Sequence, residues 1–166
     1  MIVGLARQQD IPALLSLAAQ VEHWFGPMVD APGFREAMEN NIRRGTALIA
    51  SSGPNVLGGL LFGIRGAPIY HIRWLVVSEH ARGRGVGRAL IAEAQHRFVR
   101  APATIEVVTF GVGHPAASPA RAFYESLGFT SAEIAATGPE GGPRQTFRRT
   151  VPMSPGPPSG AGVPKR

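Results

Sequence analysis

The sequence predicts a mixed α/β fold, a sheet of parallel and antiparallel strands flanked by helices. Three observations predict it. Short β-like apolar runs alternate with segments of helical period along the 166 residues. One run, "WLVV" at Trp74–Val77, is apolar at every position, the pattern of a strand covered on both faces. Immediately after it, a turn crowded with glycine and arginine leads into a helical pattern.

Taken in order, "IVGLAR" is a short strand. Asp10 is expected as the N-cap of a helix with Pro12 in its first turn, and Ile11, Leu14, Leu15, Ala18 and Val21 recur with helical spacing. "HWFGPMVDAPG" breaks that pattern with Gly and Pro. A second helix is expected from about Phe34 to Arg44, with Phe34, Ala37, Met38 and Ile42 on its apolar face. "TALIAS" and "VLGGLLFGIRG" are strands around the turn signal "SGPN", and "YHIRWLVV" is a third. A helix from Gly85 to about Val99 carries Val86, Leu90, Ala94 and Phe98 on one face, and "TIEVVTF" is the next strand. Ser118 and Pro119 are expected as N-cap and first residue of a helix with Ala120, Phe123, Tyr124 and Leu127 facing inward. Gly128 suits a left-handed cap, with Phe129 folding back onto Tyr124. The last strands are "FTSAEIAA" and "RQTFRRTV", joined by "TGPEGGP". Residues 1–151 are expected to form a single domain, and residues 152–166, rich in Pro, Gly and Ser, a disordered tail.

Composition narrows the function classes. A hydrophobic fraction of 44% is that of a globular chain, and no apolar run approaches the roughly 18 residues of a membrane helix. "MIVGLARQQD" lacks the charged start and long apolar region of a signal peptide, so the cytoplasm is the expected location. Without cysteine there is no disulfide, thiolate metal site or cysteine nucleophile, and the scattered histidines lack H-E-x-x-H spacing, so no metal is expected. The net charge of +6 is nearly all arginine, Lys165 being the one lysine. A nucleic-acid surface would account for it, as would a few arginines gripping a phosphorylated small molecule. The arginines are spread along the chain with no dense basic run or interleaved aromatics, which favours the small molecule.

The turn carries the strongest signal. Arg82 is followed by Gly83, Gly85 and Gly87, alternating with Arg84 and Val86, and then by Arg88. Glycine lets backbone N–H groups approach a ligand with no Cβ in the way. The helix that begins here adds free N–H groups and the positive end of its dipole. The combination suits a phosphate or pyrophosphate better than a turn serving only chain reversal. It is neither of two common nucleotide motifs. The sixth position from Gly83 is Arg88 and from Gly85 is Leu90, where G-x-G-x-x-G needs glycine, and no lysine supplies a P-loop.

"RGRGVG", Arg82 to Gly87, resembles the R/Q-x-x-G-x-G/A signature of the GCN5-related N-acetyltransferases, and "LVVSEHARGRGVGRALI" is similar to that family's strand, turn, signature and helix. Glu79 stands where members often carry proline. "ASPARAFYESLGF" resembles a second family motif, N-x-x-A-x-x-x-Y-E-x-x-G-F, through Ala120, Tyr124, Glu125, Gly128 and Phe129. The frequent asparagine is replaced by Ala117, so its hydrogen bond to the cofactor is either lost or supplied by Ser118. The element order matches from about Ile2 to Val151.

The resemblance implies a splayed mixed sheet of the acyl-CoA N-acyltransferase type and acetyl-CoA as cofactor. Leu75, Val76 and Val77 would pair with the pantetheine arm, the amides from Arg82 through Gly83, Arg84, Gly85, Val86 and Gly87 to Arg88 would hold the pyrophosphate, and thioester and amine would meet where the sheet opens. Backbone N–H groups of the splayed strand would serve the oxyanion. An alkylamine with a pKa of about 10.4 must first lose a proton. His71 lies where some members place an acidic base, with Glu106 and Glu22 as further candidates. Tyr124 occupies the position that serves the departing thiolate. Full proton transfer from a tyrosine near pKa 10 to a thiol near 8.5 is uphill by roughly 2 kcal/mol, so a hydrogen bond to the sulfur is the expected role unless the pKa is shifted.

Glu22, Trp24 and Phe25 lie in the connection that usually lines the family's acceptor site, with Met28 and Asp30 nearby, and His114 is expected near the cofactor mouth or in solvent. The implied activity is transfer of an acetyl group to a primary amine of a small molecule or peptide. The alternative is a non-catalytic acyl-CoA-binding or regulatory module. No membrane partner is expected, nucleic acid is disfavoured, and a homodimer is one possible assembly.

Overall fold

The computed structural model describes residues 1–154, so the expected tail lies, from residue 155 onward, outside the described residues. The chain runs β1 (Ile2–Leu5), α1 (Ile11–Phe25), α2 (Pro32–Arg44), β2 (Ala47–Ser52), β3 (Asn55–Gly63), β4 (Ile69–Val77), α3 (Val86–Phe98), β5 (Ala103–Phe110), α4 (Ala117–Ser126), β6 (Thr130–Ala135) and β7 (Arg144–Val151). The strands form one seven-stranded sheet in the order β1-β2-β3-β4-β5-β7-β6. β4 and β5 are parallel, joined by the crossover helix α3, and the other pairs are antiparallel. This is the mixed sheet flanked by helices that the sequence predicts.

Asp10 is the N-cap residue of α1 as expected, with Pro12 in the first turn, but it also closes a short 3-10 turn and its carboxylate accepts from the Arg7 N–H at 2.8 Å rather than from an amide of α1. Two other helix starts differ from expectation. α2 begins at Pro32, because a proline in the first turn gives up only an N–H that would be unpaired there anyway. α4 begins at Ala117 with Ala116 as its cap residue, which moves Ser118 and Pro119 into the first turn. The far end of α4 follows the sequence. Gly128 has φ +84°, the Phe129 N–H donates to the Tyr124 carbonyl at 3.0 Å, and the two rings meet edge to face.

Each face of the sheet buries its own apolar cluster. Leu60, Phe62, Ile72, Ile105 and Phe147 pack with Leu90 and Ala94 of α3 and Tyr124 of α4. Leu61, Trp74 and Val76 pack on the opposite face with Leu14 and Ala18 of α1 and Met38 of α2. Along β4 the allegiance changes midway, with Tyr70 and Ile72 in the first cluster and Trp74 and Val76 in the second. A β-bulge does this. Leu61 pairs with Trp74 and Phe62 with Ile72, leaving Arg73 without an opposite residue on β3.

The bulge coincides with a fork. β4 pairs with β5 only from Ile69–Thr104 to Ile72–Val107. Beyond that point β4 keeps β3 through Val77, while Val108, Thr109 and Phe110 of β5 keep β7. The backbone edge of β4 from Arg73 to Val77 therefore faces a gap.

Candidate functional site

The gap is a cleft of about 560 Å³ between the diverging strands, the start of α3 and one side of α4. Leu75, Val76, Val77, Arg82, Gly83, Gly85, Val86, Gly87, Arg88 and Tyr124 line it, together with Trp24 and Phe25 from the end of α1. It is mainly apolar along the strands and basic at the turn.

At the turn, Gly83 has φ +76° and Gly85 φ +78°, a region that disfavours side-chain-bearing residues. A Cβ on either would have no atom within 4 Å, so the backbone there is open. Gly87 differs. It lies in the first turn of α3, and a Cβ on it would come within 2.8 Å of the Phe123 ring. Two glycines thus shape and bare the turn, and the third lets α3 approach α4. The first carbonyl-paired amide of α3 is Ala89, donating to Gly85 at 3.0 Å, so the N–H groups of Val86, Gly87 and Arg88 precede the helical ladder. Arg82 lies over the Trp24 ring at 5.2 Å, joining the turn to the end of α1. Arg84 is exposed and does not line the cleft.

Tyr124 reaches the cleft from α4. Its ring is buried against Phe123, Phe129 and Phe147. Burial pushes the phenol pKa up from its ordinary value, because the phenolate would lose its hydration there. The group is therefore a neutral donor at physiological pH and a poorer acid than a free tyrosine.

Other expected site residues lie elsewhere or are already engaged. Ser118 is exposed on α4 and outside the cleft, so it does not stand in for the missing asparagine at the lining. Glu22 accepts from the Val29 N–H at 3.1 Å, bracing the α1–α2 connection, and is not in the lining. Asp30 is exposed and Met28 is buried in the α1/α2 cluster. His71 is also outside the lining. It pairs across the parallel ladder with Glu106, Nε2 to Oε2 at 3.3 Å, one residue pair before the fork. The other oxygen of Glu106 accepts from Arg148 Nε at 2.5 Å, and Arg148 continues the network to Glu133. His114 is held, not solvated. Its Nδ1 accepts from the Ala116 N–H at 3.0 Å, which leaves Nε2 to donate to the Trp24 carbonyl at 3.2 Å, and its ring stacks on Phe110.

The sequence reading missed Thr109 and Phe110 at the end of β5, Ala116, Pro119 and Ala120 at the start of α4, and Phe123. Of these, Ala120 and Phe123 carried a signal, Ala120 as a matched position of the second motif and Phe123 as the neighbour of Tyr124 in it. Thr109 and Phe110 become lining only because β5 leaves β4. Behind the lining, Arg144 lies over Phe110 at 5.0 Å and Phe25 at 5.8 Å and pairs with Glu140 at 2.6 Å, bringing the β6–β7 loop against the end of α1.

An open strand edge running into bare helix-start amides suits an elongated ligand with an apolar arm and a phosphate group, and solved structures share this framework. The chain superposes on the ribosomal-protein-alanine N-acetyltransferase of Brucella melitensis with a TM-score of 0.69 at 22% identity, covering 91% of this chain and all of that one (100%). It superposes on Ard1 from Thermoplasma volcanium with a TM-score of 0.72 at 14% identity, covering 92% and 98%. For yncA, a putative acetyltransferase from Salmonella typhimurium solved with its cofactor acetyl-CoA, the TM-score is 0.68 at 18% identity, covering 95% and 97%. At these identities the likeness shows the fold. No curated protein matches the sequence. The model of the acetyltransferase (GNAT) family matches residues 14–129, which hold the forked strands, the glycine turn and Tyr124, and to that family this chain belongs.

Proposed function

We propose that this protein is an acetyl-CoA-dependent N-acetyltransferase that acetylates a primary amine of a small molecule or peptide. The observation that carries this reading is the continuity of the cleft. The unpaired edge of β4 runs directly into the bare turn at the start of α3, and Tyr124 stands across from it.

Coenzyme A fits the residues present. The apolar edge at Leu75, Val76 and Val77 would take its pantetheine arm. The amides from Gly83 to Arg88, with the Arg82 and Arg88 guanidiniums, would take its pyrophosphate, since unpaired amides, a helix dipole and arginine all favour anions. When bound, acetyl-CoA supplies a thioester carbonyl for attack by an amine. The Tyr124 hydroxyl would donate a hydrogen bond to the leaving sulfur without surrendering its proton, the role left to it by a raised pKa. Trp24, Phe25 and Phe110 would exclude water at the acceptor end. The amine must shed a proton before it attacks. His71, oriented by Glu106 just before the fork, would receive it through solvent, because it is not itself in the lining.

The test is acceptor-dependent thiol release from acetyl-CoA over a panel of amines, aminoglycosides, polyamines and peptides, with mass spectrometry of the acetylated product. Calorimetry with CoA runs alongside. CoA binding without thiol release on any acceptor would leave an acyl-CoA-binding module. No CoA binding would overturn the whole reading.

A further inference from the structure

A second cavity, of about 260 Å³, opens on the α2 side of the sheet, away from the glycine turn. Its lining includes Arg44 from the end of α2, Arg65 from the β3–β4 connection and Arg73 from the β4 bulge, with Asn40, Asn41 and Thr46, and among the described residues it contains no carboxylate. None of the three arginines has an ion-pair partner among the described residues, although Arg35, Arg97, Arg121, Arg144 and Arg148 do.

The convergence is built into the backbone. The bulge turns Arg73 toward the same side as Trp74, where regular alternation would have opposed them. Gly63 makes room for it, since a Cβ there would lie 2.5 Å from Arg73 Nε and 3.2 Å from its Cζ. The floor is pinned by the buried Asn41 amide, which donates to Thr46 Oγ1 at 3.0 Å and to the Phe62 carbonyl at 2.9 Å, tying α2 to the residue before β2 and to β3. The three arginines are exposed, so water screens much of their mutual repulsion, but an anion seated in the concavity gains attraction from all three charges. Guanidinium forks match the planar oxygens of phosphate and give charge-assisted hydrogen bonds.

We propose that the Arg44–Arg65–Arg73 cavity is a second anion site that binds a phosphate-bearing small molecule, separate from the cleft and independent of any acetyl transfer. The test titrates inorganic pyrophosphate into CoA-saturated protein in chloride buffer, by calorimetry and by amide chemical shifts. We expect one saturable event whose shifts cluster at Thr46, Gly63, Arg65 and Arg73 and spare the glycine turn. Arg65→Gln and Arg73→Gln should each weaken it about tenfold, the worth of one charge-assisted hydrogen bond, while Arg97→Gln, an arginine paired elsewhere with Glu93, leaves it unchanged. Arg73→Lys keeps the charge but not the fork and should fall between. The proposal is overturned by unsaturable binding, by equal loss in Arg97→Gln, or by shifts confined to residues 82–88. Because the shifts separate the two places, failure of CoA binding at the turn would not be mistaken for failure here.

Discussion

At the scale of single residues, Tyr124 shows how an environment selects among the roles a side chain can play. Its raised pKa means that the hydroxyl keeps its proton past the ordinary tyrosine range, so the pH–rate profile should show no descending limb from this group below about pH 10. Tyr124→Phe should lower single-turnover rates roughly ten- to a hundredfold, the cost of one hydrogen bond to developing charge, while leaving CoA affinity in calorimetry nearly unchanged. Unchanged chemistry in that variant would remove the residue from the mechanism. Gly85 makes a contrasting case. Gly85→Glu places negative charge at the bared amides and should weaken CoA binding at least about tenfold. Any non-glycine residue at φ +78° also costs roughly 1–2 kcal/mol of stability, so Gly85→Ala, with the strain but not the charge, separates the two effects.

At the scale of elements, the divergence of β4 from β5 creates the site, and the approach of α3 to α4 closes it. Gly87 governs that approach. Gly87→Ala should overpack the Phe123 contact at a cost of about 1–3 kcal/mol, and thermal melting should fall by several degrees. Phe123→Leu in the same chain should restore part of the loss, and an additive pair would show the contact to be unimportant. The β6–β7 loop is held to the end of α1 by Glu140 and Arg144. Partial burial pushes the Glu140 carboxyl up, but hydrogen bonds from its own backbone N–H, from Arg144 and from the Gly142 N–H outweigh it and hold the pKa below the ordinary value. A depressed carboxyl stabilises the folded state above its unfolded pKa, and the contribution is lost as pH falls through the folded one. Melting temperature should therefore drop on acidification below about pH 4.5, and less steeply in Glu140→Gln.

At the scale of the whole molecule, charge and shape divide the labour of recognition. Arginine is spread over the chain, yet it converges at the glycine turn and at the α2-side cavity, two places whose linings hold no carboxylate among the described residues. The end of the cleft proposed to take the acceptor, by contrast, is walled by Trp24, Phe25 and Phe110, while the nearby carboxylates of Glu22 and Glu140 are committed to Val29 and Arg144. Amines on an apolar frame should therefore outcompete polyamines in kcat/KM, and a preference for spermidine-like acceptors would count against this wall as the acceptor surface. Much of this was legible in the chain itself. Helical period marked the helices, the apolar run at Trp74–Val77 marked a strand covered on both faces, and alternating glycine and arginine marked the bare turn at the start of α3. Each of these signals is local, written within one turn or one strand. What only the tertiary structure decided was the company each residue keeps. Whether Thr109 and Phe110 line a cleft depends on where β5 leaves β4, and whether Glu22 or Glu106 is free depends on partners as distant in sequence as Arg148. Pairing across strands is set by the register of the entire sheet, and a single unopposed residue, Arg73, changes which face the side chains beyond it occupy.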